Sequence, residues 1–306
     1  MPSVQSRFFR LIIKHYIAPK FRQAGNSVEV WKNLLDDMSK FQRVPKGTEI
    51  QPAMVGNLPA EWVWSPDSTD QYAVLYLHGG AFVMGSPANY GETAAKFSTG
   101  FGCRLLVLDY RLAPEHPFPA AVEDAISTFQ WLLEQGYTPQ QVAMGGDSAG
   151  GSLTVQTLLA LRDSGKPMPA AGFCMSPPLD WTRFDGESYR TRAQVDPWIT
   201  EDMCRFTGGL YVGDNDPATP LLNPLDMDLA GLSPLIIHVG DEEVLLSDSV
   251  RLVERARAAG VHVEFKIWPG MWHAFQTNAT TIPEARQSLA EISSFVRKHL
   301  QVAVSE

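Results

Sequence analysis

The chain of 306 residues has a formal net charge of −9 and an isoelectric point near 5.3. It is long enough for one large α/β domain or two average ones, and its acidity argues against binding to nucleic acid or to an anionic membrane. The three cysteines are widely separated and form no C-x-x-C motif, which predicts unreactive thiols in a reducing, cytoplasmic environment. No cluster of metal ligands stands out, so neither a metal nor an organic cofactor is expected.

Two helices are predicted before about residue 45. Residues 8–17 have apolar pairs at helical spacing, and a second helical pattern runs from about Val28 to Phe41. Charged residues interrupt every apolar run, which argues against a signal peptide and against stable insertion into a membrane. The segment has no acidic residue before Glu29, so a transit peptide or a helix on a membrane surface stays open as an alternative. Its basic residues are Arg7, Arg10, Lys14, Lys20 and Arg22.

Strand-like runs and helical patterns alternate through the rest of the chain. The strand-like runs fall near residues 48–54, 60–65, 72–77, 104–108, 141–145, 171–175, 234–239 and 262–268. The helical patterns are residues 119–136, 247–260 and the stretch that begins near 283. The alternation predicts a mostly parallel, eight-stranded sheet flanked by helices, with residues 48–65 as an antiparallel edge hairpin. The run 262–268 is a candidate for an exposed edge that could pair two copies across a two-fold axis.

The first motif, His78-Gly79-Gly80-Ala81, directly follows the apolar run 72–77. An enzyme that transfers acyl groups must stabilise a negatively charged oxygen, and backbone N–H groups are the usual donors. Paired glycines let the backbone approach that oxygen closely. An ordinary Gly-Gly turn would look the same in isolation, but the position after a buried strand favours an oxyanion loop.

The second motif is Gly146-Asp147-Ser148-Ala149-Gly150, a G-x-S-x-G between an apolar run and a helical pattern. This context is typical of a nucleophile elbow, in which a serine lies on a strained strand-to-helix turn between small neighbours. The N-terminal dipole of the helix that follows would favour an oxyanion. Ser148 is therefore the predicted nucleophile.

Together with the stretch from Asp109 to Ala120, these motifs make the chain resemble the bacterial hormone-sensitive-lipase-like esterases, a family of α/β-hydrolases. The resemblance extends from about residue 70 to 300. It departs from the family pattern at Ala81, where glycine is common. Within the stretch that begins at Asp109, we expect Asp109 and Arg111 to form an ion pair.

The resemblance implies an α/β-hydrolase catalytic domain over residues 46–306, covered by a helical cap. The cap would consist of residues 1–45 together with an insertion at about 180–215. Phe82 and Trp272 flank the expected catalytic loops, so we predict that they border an apolar and confined substrate site. Such a site favours short acyl chains.

The predicted base is His273. α/β-Hydrolases place their triad in the order serine, acid, histidine, which leaves only the histidines that follow the serine. His238 and His262 lie in strand-like runs, and His299 belongs to the last helical pattern. His273 instead follows residues 268–272 at the carboxyl end of a strand, where α/β sheets place their reactive loops.

Three consecutive carboxylates, those of Asp241, Glu242 and Glu243, follow the strand run 234–239 and compete for the role of triad acid. In the family that the chain resembles, one residue separates the acid from a leucine, and the histidine follows about 30 residues later. Glu243 fits this register with His273. Asp241 has the family's usual side chain but shifts the register by two, so it stays open as the alternative, and Glu242 is the least favoured.

These residues predict a carboxylesterase that hydrolyses short-chain acyl esters through an acyl-enzyme intermediate. The backbone N–H groups of Gly79, Gly80 and Ala149 would bind the oxyanion. A related hydrolase of lactones, amides or acetylated sugars would have the same motifs. A ligand-binding receptor is the alternative from another class, because plant gibberellin receptors resemble this family but lack the catalytic histidine. The expected partners are a small ester and, in a homodimer, a second copy.

Overall fold

A single sheet organises the computed structural model, which describes residues 1–302. Its strands are β1 (Glu49–Val55), β2 (Leu58–Trp64), β3 (Thr69–Leu77), β4 (Cys103–Leu108), β5 (Val142–Asp147), β6 (Ala171–Met175), β7 (Leu235–Gly240) and β8 (Val263–Trp268). They lie in the order β1-β2-β4-β3-β5-β6-β7-β8. This arrangement confirms the predicted α/β-hydrolase fold.

The helices alternate with the strands from β3 onward. The helices are α1 (Val4–Ile12), a π-helical turn (Ile13–Ile17), α2 (Ala18–Gln23), α3 (Val28–Ser39), α4 (Gly91–Phe101), α5 (Ala120–Glu134), α6 (Ala149–Asp163), α7 (Glu187–Thr191), α8 (Glu201–Val212), α9 (Leu246–Ala258) and α10 (Pro283–Leu300). Short 3₁₀ turns occupy Pro87–Asn89, Pro139–Gln141, Pro220–Leu222, Pro224–Asp226 and Phe275–Asn278. Within residues 1–302, no helix has both the length and the apolar character needed to cross a membrane.

The directions of the strands agree with the expectation from the sequence. β1 and β2 form an antiparallel hairpin at one edge, and β2 runs antiparallel to β4. From β4 through β8, neighbouring strands are parallel. β8 is the opposite edge of the sheet, as predicted, and pairing of two copies through it stays a prediction.

Helices cover both faces of the sheet, which explains why the central strands are nearly continuous apolar runs rather than alternating ones. Along β3, Leu75 and Leu77 face a core shared with α5, α6 and α9, whereas Val74 and Tyr76 face a core shared with α4 and α10. All four side chains are fully buried. The sheet is thus a rigid base whose carboxyl ends can position loops accurately.

The N-terminal helices meet the segment between β6 and β7. The ring of Phe21 in α2 lies 5.6 Å from that of Trp198, and the ring of Trp31 in α3 lies 5.6 Å from that of Phe206 in α8. These contacts join two parts of the chain that are far apart in sequence. The boundaries of the cap, residues 1–45 and about 180–215, stay a prediction.

The expected ion pair between Asp109 and Arg111 was wrong. The Arg111 guanidinium bonds instead to Asp124 in α5, with Nη2 2.7 Å from Oδ1, and to Glu123, with Nη2 3.0 Å from its carboxylate. The Arg111 backbone N–H also donates to Asp124 at 2.9 Å. Asp124 is buried and needs a charged partner, while Asp109 is half-buried, so the folded position of α5 decides the pairing.

Candidate active site

Ser148 lies between the last residue of β5 and the first residue of α6. Its backbone has φ 53° and ψ −124°, which is strained for a residue with a side chain. A Cβ on Gly146 or on Gly150 would overlap the carbonyl of Leu77, so this turn can pass beside β3 only with glycine at both positions. The Ser148 N–H donates to the carbonyl of Met175 at 2.7 Å and secures the turn to β6.

His273 and Glu243 meet at the carboxyl ends of β8 and β7. The Nδ1 of His273 lies 3.0 Å from Oε2 of Glu243. The carboxylate of Glu243 is fully buried, and its Oε1 accepts the hydroxyl of Ser176 at 2.8 Å and the N–H of Gly240 at 2.6 Å. Both of its oxygens are therefore occupied by donors, which stabilises a buried negative charge.

The two competing carboxylates point elsewhere. Asp241 Oδ1 accepts the backbone N–H of Gly270 at 2.5 Å, so it holds the turn after β8. Glu242 forms an ion pair with Arg10 at 2.6 Å. Among the described residues, Glu243 alone of the three contacts the ring of His273.

The electrostatic environment of His273 favours its charged form. Burial of the ring disfavours that form, but the hydrogen bond to Glu243 and the negative charges of Glu243, Asp196 and Asp147 outweigh the burial and raise the pKa of His273. Two other buried histidines lack such a set of carboxylates. Burial lowers the pKa of His78 to about 4, and burial with the nearby Lys266 lowers that of His238 to about 3.

Ser148 and His273 share one cavity of about 240 Å³. Helices α1 and α3 supply one apolar wall and the segment after β6 supplies another. Apolar lining residues include Phe9, Ile13, Ile17, Trp31, Leu35, Pro178, Trp181, Phe184, Trp198, Ile199 and Met203. Residues of both segments that the sequence predicts as a cap thus line the cavity.

Known proteins resemble this chain in sequence and in fold. A family model for the alpha/beta hydrolase fold matches residues 74–277. An acetyl-hydrolase of Streptomyces hygroscopicus is 41% identical over 254 residues, which cover 83% of each chain. The crystal structure of an esterase from the bacterial hormone-sensitive lipase family is 39% identical, has a TM-score of 0.92, and is matched over 98% of this chain and 99% of that one.

The chain belongs to the bacterial hormone-sensitive-lipase family of α/β-hydrolases. It is an esterase of that family. A further relative, the carboxylesterase/phospholipase LipF of Mycobacterium tuberculosis, is 35% identical over 309 aligned positions, which cover 97% of this chain and 82% of LipF. The resemblance inferred from the sequence motifs is confirmed.

One expected oxyanion donor of this esterase is engaged elsewhere. The N–H of Gly79 donates to the hydroxyl of Tyr90 at 2.9 Å and to Asp147 Oδ1 at 3.2 Å. Asp147 is buried and needs donors, and the loop after β3 supplies one of them. Gly80 and Ala81 line the cavity beside Ser148, whereas Gly79 is not among the described lining residues.

Phe82 and Trp272 do not line the cavity of this esterase either, in contrast to the expectation from their positions in the sequence. Phe82 is fully buried and stacks on Tyr211 with ring centroids 3.8 Å apart. Trp272 is buried behind α1 and stacks on Phe9 at 6.0 Å. A residue next to such a loop in the sequence lies near the site. The local turn of the backbone decides whether its side chain faces the cavity or the core.

Ser176, which follows β6, belongs to the site although its sequence position was not predicted to do so. Its hydroxyl donates to Glu243 and accepts the N–H of Ala274 at 3.2 Å, so it joins Glu243 to the loop that holds His273. A signal was available, because a polar residue that directly follows a buried strand of a parallel sheet lies at the edge where the reactive loops meet.

Asp196, in the segment between β6 and β7, was also missed. Its carboxylate accepts the N–H of Val244 at 3.0 Å and those of Trp198 and Ile199 at 2.9 Å each. Burial raises the pKa of Asp196 to about 6, although these hydrogen bonds oppose the rise. Nothing in the sequence marks this carboxylate, because it becomes a neighbour of Glu243 only when the segment folds over the sheet.

Proposed function

We propose that this esterase hydrolyses short-chain acyl esters, with Ser148 as nucleophile, His273 as base and Glu243 as the acid that orients the base. The observation that supports the proposal best is the hydrogen bond between His273 Nδ1 and the buried Glu243, on the cavity that also includes Ser148. The similarity to an acetyl-hydrolase of Streptomyces hygroscopicus supports the same chemistry.

In the first half of the reaction, Ser148 Oγ attacks the ester carbonyl while His273 removes its proton. Because Nδ1 donates to Glu243, the other ring nitrogen of His273 is the one free to accept that proton. Glu243 then stabilises the imidazolium. His273 returns the proton to the leaving alcohol, and an acyl group remains on Ser148.

We propose that the backbone N–H groups of Gly80, Ala81 and Ala149 bind the oxyanion, with Ala81 in place of the Gly79 expected from the sequence. The lining positions of Gly80 and Ala81, and the engagement of the Gly79 N–H by Tyr90, support this choice. Ala149 begins α6, so its N–H belongs to the positive end of the helix dipole. The same donors would serve again when water, activated by His273, attacks the acyl-enzyme.

Lactones, amides and acetylated sugars present the same reacting carbonyl and stay alternative substrates. A receptor role is disfavoured because the pairing of His273 with a buried carboxylate is an arrangement suited to a base. A fluorophosphonate probe separates the classes, since only an activated serine reacts rapidly with it.

Replacing Ser148 or His273 by alanine should abolish ester hydrolysis and leave the fold intact. If the triad acts as a unit, kcat should fall by about 10⁶-fold in either variant. Turnover of an activated ester by the purified variants measures the loss, and circular dichroism checks the fold. Retention of a tenth of the wild-type turnover by either variant would contradict the assignment.

The acid can be identified with the pair Glu243→Gln and Asp241→Asn. Glutamine keeps the size of Glu243 but cannot stabilise an imidazolium, so kcat should fall by about 10³- to 10⁴-fold. Asp241→Asn is the matched control and should cost less than about tenfold, because the Asp241 side chain accepts the N–H of Gly270, a bond that the asparagine side-chain oxygen can also accept. The reverse pattern would make Asp241 the acid.

The pH profile should depend on Asp196. Activity requires a neutral His273, so kcat/KM should fall as the pH decreases through the raised pKa of His273. Asp196→Asn removes one negative charge that favours the imidazolium, and the midpoint of this fall should move to lower pH. The control is Asp163→Asn, which changes an exposed carboxylate paired with Arg162 and should not move the midpoint. An unchanged midpoint in Asp196→Asn would exclude electrostatic coupling to the base.

Activated esters with about two to six acyl carbons should give the highest kcat/KM, because the cavity is small and walled by aromatic side chains. The value of kcat/KM should be much lower for esters whose acyl chain has about twelve carbons. Trp198→Ala removes part of one wall and should shift the drop to longer chains. Trp64→Ala, a tryptophan on β2 that packs under Arg104, is the control and should leave the chain-length profile unchanged. A wild-type preference for long-chain emulsions would overturn the short-chain proposal without affecting the triad.

A further inference from the structure

Helix α1 is apolar on two opposite faces. Its inner face supplies Phe9, and the π-helical turn that continues it supplies Ile13, to the wall of the cavity. Its outer face carries Val4, Phe8 and Leu11, which are 70%, 64% and 50% exposed. The spacing i, i+4, i+7 puts these three side chains on one stripe. Packing against the enzyme explains the inner face and leaves the outer stripe without a partner among the described residues.

Cations flank this outer stripe. Arg7 and Lys14 are exposed and lie about two turns apart on the same side of the stripe. Lys20 and Arg22 follow in α2. None of these four side chains has an ion-pair partner within residues 1–302. Arg10 is different, because it turns inward to Glu242 at 2.6 Å and to the carbonyl of Val195 at 2.7 Å.

The charge of the chain is therefore strongly asymmetric. Residues 1–28 contain five basic residues and no acidic one, a formal charge of +5, so the rest of the chain has −14 to give the total of −9. The total charge predicts repulsion from an anionic surface. The distribution predicts instead that α1 and α2 face such a surface while the acidic body of the enzyme points away from it.

We propose that the outer face of α1 binds an anionic lipid surface. Val4, Phe8 and Leu11 would enter the boundary between headgroups and acyl chains, and Arg7 and Lys14 would contact lipid phosphates, in the manner of an interfacial amphipathic helix. Because the inner face of the same helix lines the cavity, binding brings the cavity close to esters dissolved in the lipid. This inference does not depend on the proposed catalytic roles.

A second copy of the chain is the competing occupant of the stripe. In a symmetric dimer through this face, each patch meets its own copy, which would bring Arg7 and Lys14 of one chain close to the same cations of the other. Like charges at an apolar contact oppose association. An anionic lipid surface can bury the apolar stripe and pair with the cations at the same time, so the charge pattern favours a lipid surface over a second copy.

The test is sedimentation of the full-length enzyme with vesicles of phosphatidylglycerol and phosphatidylcholine in equal amounts, compared with vesicles of phosphatidylcholine alone. We expect binding to the mixed vesicles at least about tenfold stronger than to the neutral ones, and weaker as salt is added. Absence of binding to the mixed vesicles, or equal binding to both kinds, would overturn the proposal.

Two double variants separate the apolar and the charged contributions. Phe8→Ser with Leu11→Ser, and Arg7→Gln with Lys14→Gln, should each weaken binding to the mixed vesicles by about tenfold or more. Both should hydrolyse a soluble acetyl ester at the wild-type rate, since none of the four side chains lines the cavity. Wild-type vesicle binding by the charge variant would overturn the proposal, and this variant still decides it if the serine variant fails to fold.

Matched controls change similar residues elsewhere on the surface. Met54→Ser alters an exposed apolar side chain on β1, and Lys46→Gln with Arg190→Gln removes two exposed cations. Neither should alter vesicle binding, and a loss equal to that of the α1 variants would show non-specific attraction and overturn the proposal.

Light scattering measures whether the enzyme is a monomer or a dimer. A dimer that Phe8→Ser with Leu11→Ser dissociates, together with no vesicle binding, would assign the stripe to a second copy.

Discussion

The buried carboxylate of Glu243 is the group around which the active-site loops are arranged. A carboxylate without access to water is stable only when donors surround it. Here the donors come from three neighbouring strand ends. They are the hydroxyl of Ser176 after β6, the N–H of Gly240 at the end of β7 and the ring of His273 after β8. Satisfying one charge therefore fixes three loops relative to each other.

A second buried carboxylate connects that centre to the segment that closes the cavity. Asp196 binds the N–H of Val244, the residue after Glu243, and also two N–H groups of its own loop. The wall formed by Trp198 and Ile199 is thereby connected to the turn that holds Glu243. The position of the cavity wall and the charge that surrounds His273 thus depend on the same side chain.

Helix α1 combines two environments across its width. The side facing the enzyme is held by Ser3, which caps the helix and donates to Glu284, and by the ion pair of Arg10 with Glu242. The opposite side presents apolar and basic residues to solvent. A helix that only covered a cavity would be stable with a polar outer face, so the outer stripe calls for its own physical explanation.

The sequence by itself determined the elements that depend on local pattern. The alternation of apolar strand runs and helical patterns predicts the sheet, because burial on both faces requires nearly continuous apolar strands. Small residues around Ser148 predict the elbow, since the folded turn leaves no room for larger ones. The order serine, acid, histidine expected of α/β-hydrolases, with the spacing that the family resemblance implies, favoured Glu243 and His273 and left Asp241 as the alternative. In the structure, Glu243 lies within hydrogen-bond distance of His273.

The tertiary structure decided every feature that depends on which groups meet across the chain. Arg111 has several acids near it in sequence, and it pairs with two acids of α5, the buried Asp124 and Glu123, rather than with Asp109. Gly79 donates to Asp147 rather than toward the cavity, and Phe82 and Trp272 turn into the core. Asp196 reaches Val244 from a distant segment. A residue's type and neighbours in sequence limit what it can bond to, but the direction of its backbone and the burial of its partners select the bond that forms.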